Sequence, residues 1–278
     1  MPPRWVAFLI ITSTINLGVI IDSTTTMMKN CIVILLLCVS SVSYGQSNVK
    51  QIFKKYGIQG STTIYNQNKR IWLYSDSADA TIETVPGSTF NVLNAGIALE
   101  SGALKTEKEI IVWPKGKSDL QTAFQSNNKQ FFEALASKVE RKDYFEFVKG
   151  LNYGNHNVPA TGNSFWNNGT LKISPIAQIN FLRPLLREQL SFSPRTFRIV
   201  KELMVSNKTA GYMLLKQSGS VTYGGKDYAW YIGAVKTKDN AFYFATRLVR
   251  NADPSKPFFD KIAERVTLDI LKQIKVTD

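Results

Sequence analysis

The spacing of hydrophobic positions along the chain changes several times, and each change marks an element. Residues 60–65 and 70–75 are short β-rich runs separated by Asn66-Gln67-Asn68-Lys69, which predicts a hairpin. After Pro86-Gly87 the apolar positions Phe90, Leu93, Ile97 and Ala98 fall three and four apart, so a helix is expected to open at Ser88 and to stop at Gly102. The same spacing predicts helices over 128–139, 142–151, 175–190 and 194–204, the third with a clear start at Ser174-Pro175. Strand patterns return at 211–217, 227–236 and 241–249, joined by turns at Gly224-Gly225 and Lys238-Asp239-Asn240. A last helix is expected over 259–275.

This order of strands, helical block, three-stranded meander and final helix implies an α/β fold. A central antiparallel sheet, in which the two ends of the chain meet, is flanked by helices, and an all-helical lobe is inserted between its parts. With no internal repeat and no long linker, residues 46–278 read as one domain.

The N-terminal region has a different character. Met28 and Lys29 precede an apolar run from Cys31 to Val39 and then Ser43-Tyr44-Gly45, with small residues where a signal peptidase cuts. Residues 1–45 are therefore expected to be a signal-peptide region with its true start at Met27 or Met28, and the protein to be exported, periplasmic or secreted. The run is too short to cross a bilayer, and the earlier apolar segment is broken by Thr12, Ser13, Thr14 and Asn16, so no stable membrane span is expected. Lipid attachment at Cys38 is disfavoured because the bulky Leu37 stands where a small residue is needed.

Both cysteines lie inside that region, so the mature chain has no thiol for disulfides, nucleophilic catalysis or metal binding. His156 is the one histidine and sits in a loop-like Tyr153-Gly154-Asn155-His156-Asn157 stretch, which argues against a Ser-His-Asp relay or a histidine zinc site. No cofactor or metal is expected. The net charge is +13, and the first 45 residues, with Arg4, Lys29 and Asp22, contribute only +1 of it. Such a balance favours acidic surfaces, yet the basic residues are scattered with no Arg-rich arm or Gly-aromatic motif, so nucleic acid is not the expected partner.

Chemistry concentrates around Ser88. The run Pro86-Gly87-Ser88-Thr89-Phe90-Asn91 resembles the active-site helix of class D serine β-lactamases, within the penicillin-binding transpeptidase-like superfamily, where the pattern is Ser-Thr-Phe-Lys. A serine opening a helix gains from the backbone N–H groups there, and a residue three positions on shares its face. Further segments follow in order. Tyr153-Gly154-Asn155 resembles the family's Tyr-Gly-Asn loop, and the run from Phe165-Trp166 to Ile173-Ser174 resembles its Phe-Trp-x-x-Gly-x-Leu-x-Ile-Ser segment. Gln217-Ser218-Gly219 stands where Lys-Thr-Gly belongs, and Ala229-Trp230-Tyr231-Ile232-Gly233 resembles the Trp-Trp-Val-Gly strand.

The resemblance implies Ser88 as the acyl-accepting serine, Trp166, Gln217, Ser218, Gly219 and Ser220 as substrate-binding positions, and a β-lactam or peptidoglycan-like small molecule as ligand. It also exposes departures. Asn91 occupies the position of the lysine that serves the family as carboxylated general base, and an amide neither titrates nor accepts carboxylation. Asn127 falls at the serine of the Ser-x-Val motif in an ungapped alignment, while a slip of one brings in Ser126. Gln217 replaces the lysine that meets the substrate carboxylate, and Lys216 beside it points to the opposite face unless the strand bulges. Backbone donors at Ser88 and Ser220 survive side-chain change.

Three readings follow: an acylating serine with severely impaired or absent β-lactam hydrolysis; a non-catalytic binding module; and a structural scaffold in which Ser88 merely caps a helix. An open cleft beside Ser88 separates the first two from the third.

Overall fold

The computed structural model describes residue 49, residues 51–257 and residues 259–277. The signal-peptide region, with Met27, Met28 and both cysteines, lies outside the described residues.

Strands alternate their side chains between two faces, and here both faces are buried. β1 (Gln59–Asn66), β2 (Ile71–Tyr74), β5 (Val205–Lys208), β6 (Tyr212–Tyr223), β7 (Lys226–Thr237) and β8 (Ala241–Asn251) form one antiparallel sheet in the order β2-β1-β8-β7-β6-β5. The first strand pairs with the last, so the two ends of the chain meet as expected. Along β7, Trp230, Ile232 and Ala234 enter the larger core beneath the helical lobe, whereas Ala229, Tyr231 and Val235 enter a second core on the other face. That second core is closed by α7 (Asp260–Gln273) through Ala263, Val266, Ile270 and Leu271.

The lobe holds α1 (Asn91–Glu100), α2 (Leu120–Gln125), α3 (Lys129–Ala136), α4 (Arg141–Gly150), α5 (Pro175–Leu186) and α6 (Pro194–Met204), together with a hairpin of β3 (Ile111–Trp113) and β4 (Gly116–Ser118). α1 is buried from Asn91 through Leu99, the pattern of a helix surrounded by others. Fully burying side chains such as Leu93 and Ile97 stabilises by roughly 1.5–3 kcal/mol each.

The start read at Ser174-Pro175 operates as expected, and two further caps join it. Asn128, Ser174 and Ser193 cap α3, α5 and α6 by accepting from the N–H groups of Phe131, Ala177 and Thr196. Several boundaries differ, most of all β6, which runs on to Tyr223 instead of stopping at 217, and α3, which stops at Ala136 instead of 139. α5 stops at Leu186 rather than 190, because Glu188 turns left-handed at φ 58° and ends the ladder. The helix expected from Ser88 begins as a 3-10 turn, Gly87–Phe90, and becomes α-helical only at Asn91. The 111–118 hairpin, α2 and β5 had too few residues to register a period.

One topological detail creates the site. β5 covers the outer edge of β6 only as far as Leu215, so from Lys216 onward that edge has no strand neighbour among the described residues and lies against the 87–90 turn instead.

Candidate active site

Ser88 is the second residue of the 3-10 turn, and that turn is tied down on every side. Gly87 N–H donates to the carbonyl of Trp166 at 3.2 Å, and Gln178 Nε2 of α5 donates to Thr89 Oγ1 at 2.7 Å. Thr89 Oγ1 in turn donates to the carbonyl of Pro86 at 2.8 Å. Phe90 stacks on Trp166 with centroids 5.1 Å apart and meets the edges of Phe165 and Tyr153. Upstream, Trp230 Nε1 donates to the Val85 carbonyl at 3.0 Å. Ser88 itself is half-buried, and its hydroxyl makes no hydrogen bond among the described residues. It caps neither the 3-10 turn, whose cap position is Pro86, nor α1, whose cap position is Phe90. The helix-cap reading of Ser88 is thereby corrected.

The close approach of β6 explains Gly219. A β-carbon there would lie 2.8 Å from the backbone nitrogen of Thr89 and 3.1 Å from that of Ser88. Only glycine lets the strand edge come so near the turn.

A neutral network fills the space beside the serine. Gln217, 3 % exposed, donates from Nε2 to the Ser88 carbonyl at 3.1 Å and to Asn127 Oδ1 at 2.7 Å. Asn127, left-handed at φ 51°, donates from Nδ2 to Ser218 Oγ at 3.0 Å. Asn127, at the Ser-x-Val serine in the ungapped alignment, is thus part of this network. Ser126, the alternative at that position, also lines the cleft but turns its hydroxyl back to the carbonyl of Thr122 at 2.7 Å. The β6–β7 register runs unbroken through Lys216 and Gln217, so no bulge swings Lys216 round, and it does not line the cleft. Lys172 is also elsewhere, with its ammonium 5.9 Å from the ring centroid of Tyr223.

The cleft is open, with a volume of about 300 Å³, and Asn91 and Asn127 line it without filling it. Asn91 lies one turn on from Ser88 and is 1 % exposed, and its Nδ2 has no partner among the described residues. Ser220 Oγ is buried without a partner in the same wall. Leaving such a donor unmatched costs about 1–3 kcal/mol, which a bound acceptor would recover. Trp166 also lines the cleft.

Four further lining residues, Lys129, Phe132, Asn167 and Asp260, escaped sequence reasoning. Lys129 stands at the valine position of the Ser-x-Val triplet, where a lone exposed lysine carries no motif of its own. Asp260 opens α7, far along the chain from Ser88, and carries no local signal. The Tyr153-Gly154-Asn155 loop is structural: Asn155 clamps the 170–172 segment through Lys172 N, the Lys172 carbonyl and the Thr170 carbonyl. A β-carbon at Gly154, φ 59°, would sit 2.1 Å from the Lys172 carbonyl oxygen. His156 is exposed in that loop.

Comparison with known proteins bears on the family and the fold. Residues 54–272 match the family described as penicillin binding protein transpeptidase domain. Beta-lactamase OXA-48 of Klebsiella pneumoniae is 27% identical over 235 residues, which covers 81% of this chain and 86% of that protein. Regulatory protein BlaR1 of Bacillus licheniformis is 27% identical over 208 residues, 70% of this chain but 34% of its own length. The crystal structure of a class D beta-lactamase from Sebaldella termitidis superposes with a TM-score of 0.79 at 32% identity, covering 83% of this chain and 97% of that one.

Proposed function

Because this chain belongs to the penicillin binding protein transpeptidase domain family, we propose that it is an exported class D β-lactamase-like protein. In this reading Ser88 accepts an acyl group from a β-lactam or a peptidoglycan-like amide, and turnover is severely impaired or absent. Ser88 Oγ bonds to the carbonyl carbon, the amide C–N bond breaks, and the hydroxyl proton ends on the departing nitrogen. Hydrolysis then needs a water to be deprotonated beside the ester, and both steps lack their usual helper, since an amide at residue 91 takes the proton neither from Ser88 Oγ nor from that water.

The observation that carries the reading is Asn91, a buried amide one turn from an unbonded serine hydroxyl. A positioned acid or base is typically worth about 10²–10⁴-fold, and an amide supplies neither. Gln217 and Asn127 deepen the effect, since their amides are committed to each other and to Ser88 and Ser218. A second reading, recognition without turnover, draws support from the likeness to Regulatory protein BlaR1 and from the open cleft.

Intact-protein mass spectrometry after incubation with benzylpenicillin tests the proposal. A persistent adduct that disappears in Ser88→Ala, with slow or no hydrolysis of a chromogenic cephalosporin, is the expected result. Asn91→Lys alone is expected not to restore a normal rate, because the uncharged Asn127–Gln217 pair remains. Rapid wild-type turnover abolished by Ser88→Ala, or full rescue by that single change, would sink the impaired-enzyme reading. No adduct at all would leave binding without chemistry.

A further inference from the structure

Most of the Ser88 cleft is walled by uncharged groups, and its two charged lining residues have opposite signs. Lys129 is the first residue of α3 and belongs to the helical lobe, whereas Asp260 is the first residue of α7, the helix that closes the core on the other face of the sheet. Ser88 lies on the turn where lobe and β6 meet. The two charges thus reach the cleft from different layers of the molecule.

Neither charge is firmly committed. Lys129 meets Glu133 at 3.7 Å, one turn on in the same helix, and its side chain is 63% exposed. A loose exposed pair of this kind contributes little and does not hold the ammonium. Asp260 enters no ion pair among the described residues, although its neighbours Lys256 and Lys261 pair with Asp253 and Glu264. In the same walls, the buried Asn91 Nδ2 and Ser220 Oγ stand without partners. Gln217 cannot add a charge, and its amide is already engaged.

We infer that the cleft selects a compact zwitterionic acyl compound, with its carboxylate at Lys129, its ammonium at Asp260 and its carbonyl beside Ser88, Asn91 and Ser220. This rests on the reading of the Ser88 cleft as a ligand site, and a volume of about 300 Å³ suits a small ligand. The two opposite charges set the ligand's orientation as well as its class, since reversing it would bring like charges together.

The test uses four probes that share one penicillin skeleton and differ in their charged groups: ampicillin, with amine and carboxylate; benzylpenicillin, with carboxylate alone; and the methyl ester of each. Binding constants are measured by calorimetry in Ser88→Ala protein, which separates recognition from acylation. Ampicillin is expected to bind about tenfold tighter than either singly charged probe, the scale of one charged hydrogen bond. Lys129→Gln is expected to erase the preference for the free carboxylate and Asp260→Asn the preference for the amine, each leaving the other in place. Equal binding of all four probes, binding of none, or a preference that survives both substitutions would overturn the inference. The adduct experiment on wild-type protein is independent: an adduct with flat charge preference sinks only the zwitterion reading, whereas charge-selective binding without an adduct sinks only the acylation.

Discussion

Gly219 has no room for a β-carbon, and the atoms it would strike are backbone nitrogens rather than yielding side-chain ends. Gly219→Ala should therefore push β6 away from the turn, lowering stability by about 1–3 kcal/mol and slowing adduct formation at Ser88. Denaturant unfolding checks the first effect, and an unchanged midpoint would show that the contact relaxes freely. Asn91 presents the opposite case at the same scale, with room and no partner. Its identity was plain in the sequence, as was the loss of a titratable group. The empty environment of its amide was not, because partners are contributed by segments distant along the chain.

Short elements carry the serine and long ones hold them in place. The Gly87–Phe90 turn is gripped by Gln178 of α5, Gln217 of β6 and the aromatic cluster around Phe90. Its helix, α1, is tethered at the far end. Glu100 accepts from both the N–H and the hydroxyl of Ser193, at 2.9 and 2.7 Å, while Ser193 also caps α6. Ser193→Ala removes the cap and one of the two bonds to Glu100, so a loss of about 1–2 kcal/mol is expected in thermal or urea unfolding. A variant as stable as wild type would mean that Ser193 neither caps nor tethers. The apolar spacing revealed α1 and α6 but not the 3-10 start, since one turn is too short to distinguish the two helix types by period.

Across the whole molecule, buried charges join the layers. Arg247 of β8, 3% exposed, pairs with Asp79 and donates to the carbonyl of Ile82 at 2.6 Å and to Thr84 Oγ1 at 3.1 Å, so it fastens the segment leading to Ser88 onto the sheet. Asp227 joins β6, β7 and β8, accepting from Thr222 Oγ1 at 2.6 Å and Arg250 Nε at 3.0 Å. Burial pushes its carboxyl up, but the bonds from Thr222 and Arg250 outweigh that and hold it below its ordinary 3.8. A lowered folded-state value stabilises fully above pH 3.8, and the gain is lost as pH falls through the lower value. Asp227→Asn should cost about 2 kcal/mol at neutral pH, with the gap to wild type closing as pH drops below 3.8. A gap that stays constant across parallel melts at neutral and acid pH would refute the assignment.

The sequence by itself determined the sheet-and-lobe plan, the start of one long helix at Ser174-Pro175, and the identities of Ser88, Asn91, Asn127 and Gln217. These follow from periodicities and motifs that act over a few neighbouring residues. Only the tertiary structure decided that Ser88 caps nothing, that Asn127 and Gln217 lock together, and that Lys216 stays out of the cleft. It also decided that Lys129 and Asp260 enter it. Those outcomes depend on which strand edge is left uncovered and which distant segments pack against it, and contacts of that kind leave no local pattern in the chain.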